Sequence, residues 1–295
     1  MKKITELLRE GRILVSDGAW GTFLYQKGLQ AGECPDEWCL THASEVEDIA
    51  RSYILAGSDI IETNSFGSNR YNLEHFGLQD KVKDINKAAA QISRRAAAGK
   101  DIYVIGSAGP TGKFLMMGDV TENELYDCYK EQVTALAEGG ADAICFETMS
   151  DPDEAAVAIK AAKENTDLEV ICTFTFDKSG DNTYHTLMGS TPTEAIGKAL
   201  EAGADIIGSN CGNGVERMIE ITEIIRHDYP EAFILIHANA GLPVFVDGKN
   251  TYPETPEIMA SYVPKLISAG ANIIGGCCGT TPEHIRAIKE RGLGV

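Results

Sequence analysis

Positive charge is scarce in this sequence: 26 lysines and arginines face 44 aspartates and glutamates, for a net charge of −18. A chain of that sign repels phosphate backbones and anionic headgroups, so nucleic acid and acidic membrane surfaces are excluded as electrostatic partners. Long apolar runs are missing too. No stretch approaches the roughly 18 residues of a membrane span. The N-terminus, Met1 to Arg12, is charged and amphipathic, unlike the apolar segment of a secretory leader. A soluble, cytoplasmic protein is expected. No Gly-x-Gly-x-x-Gly follows any strand-like run, which argues against a dinucleotide-binding sheet. Gly109-Pro110-Thr111-Gly112-Lys113 is not a phosphate loop either: Ser107 stands where the first glycine belongs, and Phe114 follows the lysine.

What is present is a repeated junction. It reads Ala56-Gly57-Ser58-Asp59-Ile60-Ile61, then Gly139-Gly140-Ala141-Asp142-Ala143-Ile144, Ala202-Gly203-Ala204-Asp205-Ile206-Ile207 and Ala269-Gly270-Ala271-Asn272-Ile273-Ile274. A glycine suited to the left-handed position after a helix is followed two or three residues later by a short apolar run, so each junction ends a helix and starts a buried strand. Runs of this kind predict eight strands: 13–16, 59–63, 102–107, 143–148, 169–174, 205–209, 233–237 and 272–275. They are nearly continuous in apolar and small residues, as parallel strands covered on both faces should be. Helix-period stretches separate them at 46–56, 81–98, 122–138, 153–163, 193–202, 215–227, 257–269 and 282–291. With 295 residues and 43% hydrophobic content, eight alternating units predict an α/β fold, a (β/α)8 TIM barrel, as a single domain over 1–295.

Barrel chemistry sits on the loops after the C-terminal strand ends. Those ends offer Asp17-Gly18-Ala19, Glu62-Thr63-Asn64, Gly109-Pro110-Thr111, Glu147-Thr148, Asp177, Asn210-Cys211-Gly212, His237-Ala238-Asn239 and Cys277-Cys278. Eight cysteines without a leader are better suited to thiols or metal ligands than to a disulfide framework. Cys128, Cys145 and Cys172 fall in helix or strand runs and are expected to pack in the core. Cys34 and Cys39 share a loop with no histidine at metal-site spacing. Adjacent Cys277 and Cys278 cannot readily bridge each other, and taken alone the pair suits a metal or a core equally. Cys211, on the same rim, tips the balance. Three thiolates with an open fourth position describe a catalytic zinc site, and a sulfur-rich shell fits zinc better than magnesium or manganese. So thiolate-rich an ion is a poor generator of hydroxide but is suited to holding a substrate thiol as thiolate.

These residues carry a family resemblance. Gly208-Ser209-Asn210-Cys211 and Gly275-Gly276-Cys277-Cys278-Gly279-Thr280-Thr281-Pro282 resemble the two zinc-binding motifs of the homocysteine S-methyltransferases. Asp17-Gly18-Ala19-Trp20-Gly21-Thr22, Thr63-Asn64-Ser65-Phe66-Gly67, Gly109-Pro110-Thr111-Gly112, Phe146-Glu147-Thr148-Met149-Ser150-Asp151 and Asn239-Ala240-Gly241 match in order, over about Ile13 to Ile288. The similarity is greatest to the homocysteine-binding module of cobalamin-dependent methionine synthase. The resemblance implies zinc on Cys211, Cys277 and Cys278, with the homocysteine sulfur in the fourth position. It implies that Asp17 and Glu147 hold the amino-acid end, with the substrate carboxylate at backbone N–H groups near Gly18 and Ala19. Asn64 joins the substrate-binding set, and Asn239 is placed near the metal when substrate is absent.

The implied reaction forms methionine, with a methylated corrinoid on a separate protein as donor. S-methylmethionine is the alternative donor, and the reverse chemistry, demethylation of a thioether onto a corrinoid protein, is a rival. The betaine branch fits least, since its C-terminal extension is not seen here. A non-catalytic thiol-binding subunit would need no turnover at all. Two features depart from the family pattern: His237 before the Asn-Ala-Gly turn, and the segment Asp177–Ser190, expected as a longer loop over the mouth.

Overall fold

A helix that must give way to a buried strand within a few residues needs a left-handed turn, which glycine makes without a Cβ clash. In the computed structural model, which describes residues 1–246 and 249–292, Gly57, Gly140, Gly203 and Gly270 have φ between 99° and 114°. The strands then follow as β1 (Leu14–Val15), β2 (Ile60–Glu62), β3 (Tyr103–Ala108), β4 (Ala143–Met149), β5 (Glu169–Phe174), β6 (Ile206–Gly214), β7 (Ile234–Asn239) and β8 (Ile273–Gly276). They form one sheet in the order β1-β8-β7-β6-β5-β4-β3-β2, with every pair parallel. Asp59 closes the ring. Its N–H donates to the Val15 carbonyl at 2.7 Å, and Val15 N donates to its carboxylate at 2.9 Å. Around the strands lie α1 (Ala43–Ala56), α2 (Val82–Ala96), α3 (Glu122–Gly139), α4 (Pro152–Asn165), α5 (Pro192–Glu201), α6 (Val215–Asp228), α7 (Pro256–Ala269) and α8 (Pro282–Ala287). This is the (β/α)8 barrel that the alternation predicts.

Two boundaries differ from expectation. β6 continues past Ser209 to Gly214, where a register shift after Asn210 pairs Gly214 with Asn239. Hydropathy cannot show that extension, because the added residues are polar ones of the site. α8 stops at Ala287, and Ile288–Gly292 form a wider π turn.

The aspartate or asparagine of each junction is a clip between paired strands. Asp142 donates from its N–H to the Val104 carbonyl (2.7 Å) and accepts Val104 N on its side chain (2.8 Å). Asp205 does the same to Val170 (2.8 and 2.7 Å), and Asn272 to Ile234 (2.8 and 2.9 Å). A cation covers each clip from outside: Lys289 on Asp59, Arg94 on Asp142, Lys163 on Asp205 and Arg226 on Asn272. These part-exposed contacts are worth little by themselves. The backbone bonds, repeated between β1 and β2, β3 and β4, β5 and β6, and β7 and β8, set the register.

The bottom of the barrel is stoppered by the helix Ile4–Arg9. Ile4, Leu7 and Leu8 pack on the inward residues Leu14, Ile60, Tyr103, Ile105, Ala143, Cys145, Ile171, Ile206, Leu235 and Ile273. Buried Glu169 at the start of β5 holds it, accepting Ile4 N (2.6 Å), Thr5 N (3.0 Å) and Thr5 Oγ1 (2.6 Å). Glu169→Ala strands two buried N–H groups, so a loss of about 3 kcal/mol is expected from urea denaturation, at the usual ~1–3 kcal/mol per orphaned group. A loss under ~1 kcal/mol would show that the stopper holds without it.

Candidate active site

The three cysteines meet at the mouth. Cys211 sits on the extended end of β6 with φ +60°, a left-handed conformation rare for a residue with a Cβ. Its Sγ lies 3.9 Å from that of Cys278, and all three sulfurs fall within 4.8 Å of one another. The Cys277–Cys278 loop is pinned from both sides. Cys277 N donates to the Ala238 carbonyl (2.8 Å), Ala240 N to the Cys278 carbonyl (3.0 Å) and Gly276 N to the Asp17 carbonyl (2.8 Å). Thr280 Oγ1 accepts Ala19 N at 3.0 Å and donates to the Cys277 carbonyl at 2.8 Å, tying the β1 loop to the cysteine loop. Thiol hydrogen bonds from Cys211 and Cys277 hold Cys278 well below the usual thiol range, whereas Cys277 is pushed up by its bonds to Cys211 and Cys278. A soft cation suits such a donor set.

Beside the sulfurs opens a cavity of about 540 Å³ whose walls include Gly18, Ala19, Asn64, Glu62, Ser107 and Glu147 together with all three cysteines. Among the described residues, no lysine, arginine or histidine lines it. Glu147 is held by the Ser107 hydroxyl and by Asn210 Nδ2 at 3.3 Å, and burial pushes its carboxyl up to about 7. Glu62 is raised well above the usual range by burial, then by Glu147 and Asp17. An acidic, cation-free cavity asks its ligand to bring the positive charge.

Residues 14–291 match the family model described as homocysteine S-methyltransferase. The chain belongs to this family. It is similar to the methionine synthases of Mycobacterium leprae and Mycobacterium tuberculosis, at 32% identity over 296 aligned positions in each case. Those alignments cover 94% of this chain but 24% of each relative, so the chain spans about a quarter of their length. Among solved structures, the metallated homocysteine methyltransferase MmuM of Escherichia coli matches with a TM-score of 0.79 at 22% identity, covering 97% of this chain and 98% of that one. At that identity the likeness speaks for the fold.

Within this homocysteine S-methyltransferase family barrel, the residues singled out from sequence are placed unequally. Glu147, Gly18, Ala19 and Asn64 line the cavity with the cysteines. The Ala19 N–H is already taken by Thr280, and the Asn64 amide donates to the Pro35 carbonyl at 2.8 Å, so both brace loops. Asp17 is 1% exposed and lines no part of the cavity. Its carboxylate accepts Glu62 N at 2.8 Å and Trp20 Nε1 at 2.9 Å, which fastens β2 to the β1 loop. Asn239 is buried at the end of β7, also off the cavity wall. No residue of the segment Asp177–Ser190 lines the cavity. The segment folds as a hairpin pairing Asp177–Lys178 with Tyr184–His185, and Lys178 and Tyr184 anchor it to Glu220 on α6. Cys128, Cys145 and Cys172 are core residues, and Cys34 and Cys39 are buried as well.

Sequence reading missed the roles of Glu62 and Asp36. Asp36 accepts Gly67 N (3.0 Å) and Ser68 Oγ (2.9 Å), fixing the β2 loop that forms one cavity wall. Its partners are some thirty residues away, so no local pattern points to it.

The raised carboxyls carry a pH signature. A group whose folded pKa lies above its unfolded value stabilises the fold fully below that unfolded value and loses the contribution as pH rises through the folded one. His237, depressed to about 4 by burial, acts with the opposite sign between about 4 and 6.5. Comparing Glu147→Gln with the parent at each pH removes that contribution. The variant should gain stability relative to the parent between pH 4.5 and 8, on the order of 3 kcal/mol, since each tenfold change in proton affinity is worth ~1.4 kcal/mol. A difference independent of pH in denaturant melts would contradict the assignment.

Proposed function

We propose that this barrel moves a methyl group onto the thiol of homocysteine, forming methionine. The observation that carries it is the convergence of three cysteine sulfurs on the wall of an acidic cavity with no basic side chain among its described lining residues. The donor set fits zinc: three thiols with no fourth histidine, cysteine or carboxylate in the cluster among the described residues. Cys211, Cys277 and Cys278 would hold the ion, which when bound favours the thiolate form of a substrate thiol. The chain's own residues then orient the acceptor. Glu147, fixed by Ser107 and Asn210, draws the ammonium end. Thr280 and the backbone bonds around Cys277 keep the sulfurs in place, and a nucleophile held ionised and aligned supplies much of the acceleration.

The proposed donor is a methylcorrinoid carried by a separate protein. Exposed apolar side chains on the loops around the mouth support a macromolecular visitor. Phe66 follows β2, Met116 and Met117 follow β3, and Leu242 and Phe245 follow β7. Exposed apolar side chains on several loops at one end of a barrel suit an interaction surface. All eight cysteines are free, which is in keeping with a reducing cytoplasm.

Cys211→Ala should abolish both tight zinc retention and methyl transfer; activity retained without metal would overturn the mechanism. Zinc-loaded protein incubated anaerobically with methylcobalamin and L-homocysteine should lose methylcobalamin absorbance and gain methionine together. Turnover with S-methylmethionine alone would reassign the donor. Replacing Met116, Met117 and Phe245 together by serine should raise KM for a protein-bound methylcorrinoid at least tenfold and leave free methylcobalamin unaffected. Equal effects on both donors would remove the docking role.

A further inference from the structure

His237 and Glu62 stand out as buried titratable groups, each with a side-chain atom that has no hydrogen-bond partner among the described residues. His237 is 2% exposed at the end of β7, and its Nε2 is buried without a hydrogen-bond partner among the described residues. Glu62 is 7% exposed on β2, and its Oε1 is likewise buried without a partner. The two face each other, with His237 Nδ1 and Glu62 Oε1 3.7 Å apart, just beyond hydrogen-bond reach. The fold makes room for this arrangement at some cost. A Cβ on Gly275 would come within 2.9 Å of His237 Nε2 and 2.8 Å of the Asp17 carbonyl, so β8 is bare where the imidazole lies. Asp17, in turn, grips Glu62 through its backbone N–H and not through its carboxylate.

Buried polar groups without partners are rare, and each calls for a reason. Here the reason is directional. Glu62 lines the cavity and His237 does not, so the carboxylate is the part of the pair that a ligand meets. We infer that Glu62 receives the ammonium group of the amino-acid substrate opposite Glu147, and that His237 supports the Glu62 carboxylate from behind through Nδ1–H. Burial keeps the imidazole neutral, so it offers a donor without adding a cation that would compete with the ligand. Glu62 is then a substrate-binding residue, His237 is a positioning residue, and Asp17 is the strut that holds Glu62 in place. This rests on the functional proposal above and extends it to selection among thiols: those bearing an ammonium group are taken and those lacking one are refused.

The test uses the zinc-loaded protein and isothermal titration with L-homocysteine and with 4-mercaptobutanoate, the same thiol acid without the amine. The parent should favour homocysteine at least 100-fold. Glu62→Gln should cut that preference at least tenfold, while zinc content and mercaptobutanoate affinity stay within twofold. His237→Leu should reduce the preference in the same way, and His237→Asn, which retains an N–H donor, should restore it. The inference is overturned if Glu62→Gln leaves the preference intact, or if both ligands and zinc are lost in parallel, the outcome of a merely structural role. A parent protein that binds homocysteine no better than mercaptobutanoate would refute the ammonium site while leaving zinc and thiol binding standing. A parent that binds neither would bring down the functional proposal itself.

Discussion

The hydrogen-bond pair that clips each even-numbered strand to its predecessor fixes everything above it. Once Asp59, Asp142, Asp205 and Asn272 are locked to Val15, Val104, Val170 and Ile234, the strands have no freedom of register. A one-residue slip would exchange inward and outward side chains. Counting five residues up from the clips reaches Asn64, Glu147, Asn210 and Cys277; counting six reaches Ser65, Thr148, Cys211 and Cys278. The candidate site is therefore one level of a repeated unit. Thr148 and Cys211, both six past a clip, even share the left-handed conformation, with φ of 59° and 60°.

At that level the barrel trades stability for readiness. Asp17, Glu62 and Glu147 crowd one another in a buried space with no counter-charge among the described lining residues, and each carboxyl is raised by burial. Such a layer weakens the empty fold at neutral pH. The same electrostatics make the cavity a receptor for a cation, since a bound ammonium relieves the repulsion that the protein alone endures. The apolar stopper at the other end of the barrel and the eight surrounding helices supply the compensating burial.

Much of this was legible in the sequence. The strands showed because parallel strands buried on both faces are apolar throughout, and the glycines after the helices showed because few other residues take that turn. The cysteines showed because thiolates on two barrel loops have few other uses. What stayed hidden depends on partners distant in the chain. That Asp17 Oδ2 also accepts Trp20 Nε1 and the Glu62 N–H, fastening two loops, cannot be read from its neighbours in the chain. His237 looks like an ordinary hydrogen-bonded histidine until its Nε2 is found buried without a partner among the described residues and its Nδ1 facing Glu62. The hairpin at Asp177–Ser190 is held by Glu220, a residue on a different helix that no local pattern connects to it.

The chain order of the site has a consequence of its own. The carboxyl groups, Asp17, Glu62 and Glu147, all come from the first four strands, and the sulfurs, Cys211, Cys277 and Cys278, all come from the last three. On the proposed function, recognition of the acceptor and activation of its sulfur would be written in different halves of the polypeptide. A recombination point in the α4–β5 connection, Thr166 to Leu168, would exchange one without touching the other. New specificities could then arise on an inherited cysteine cluster by replacement of a single contiguous half.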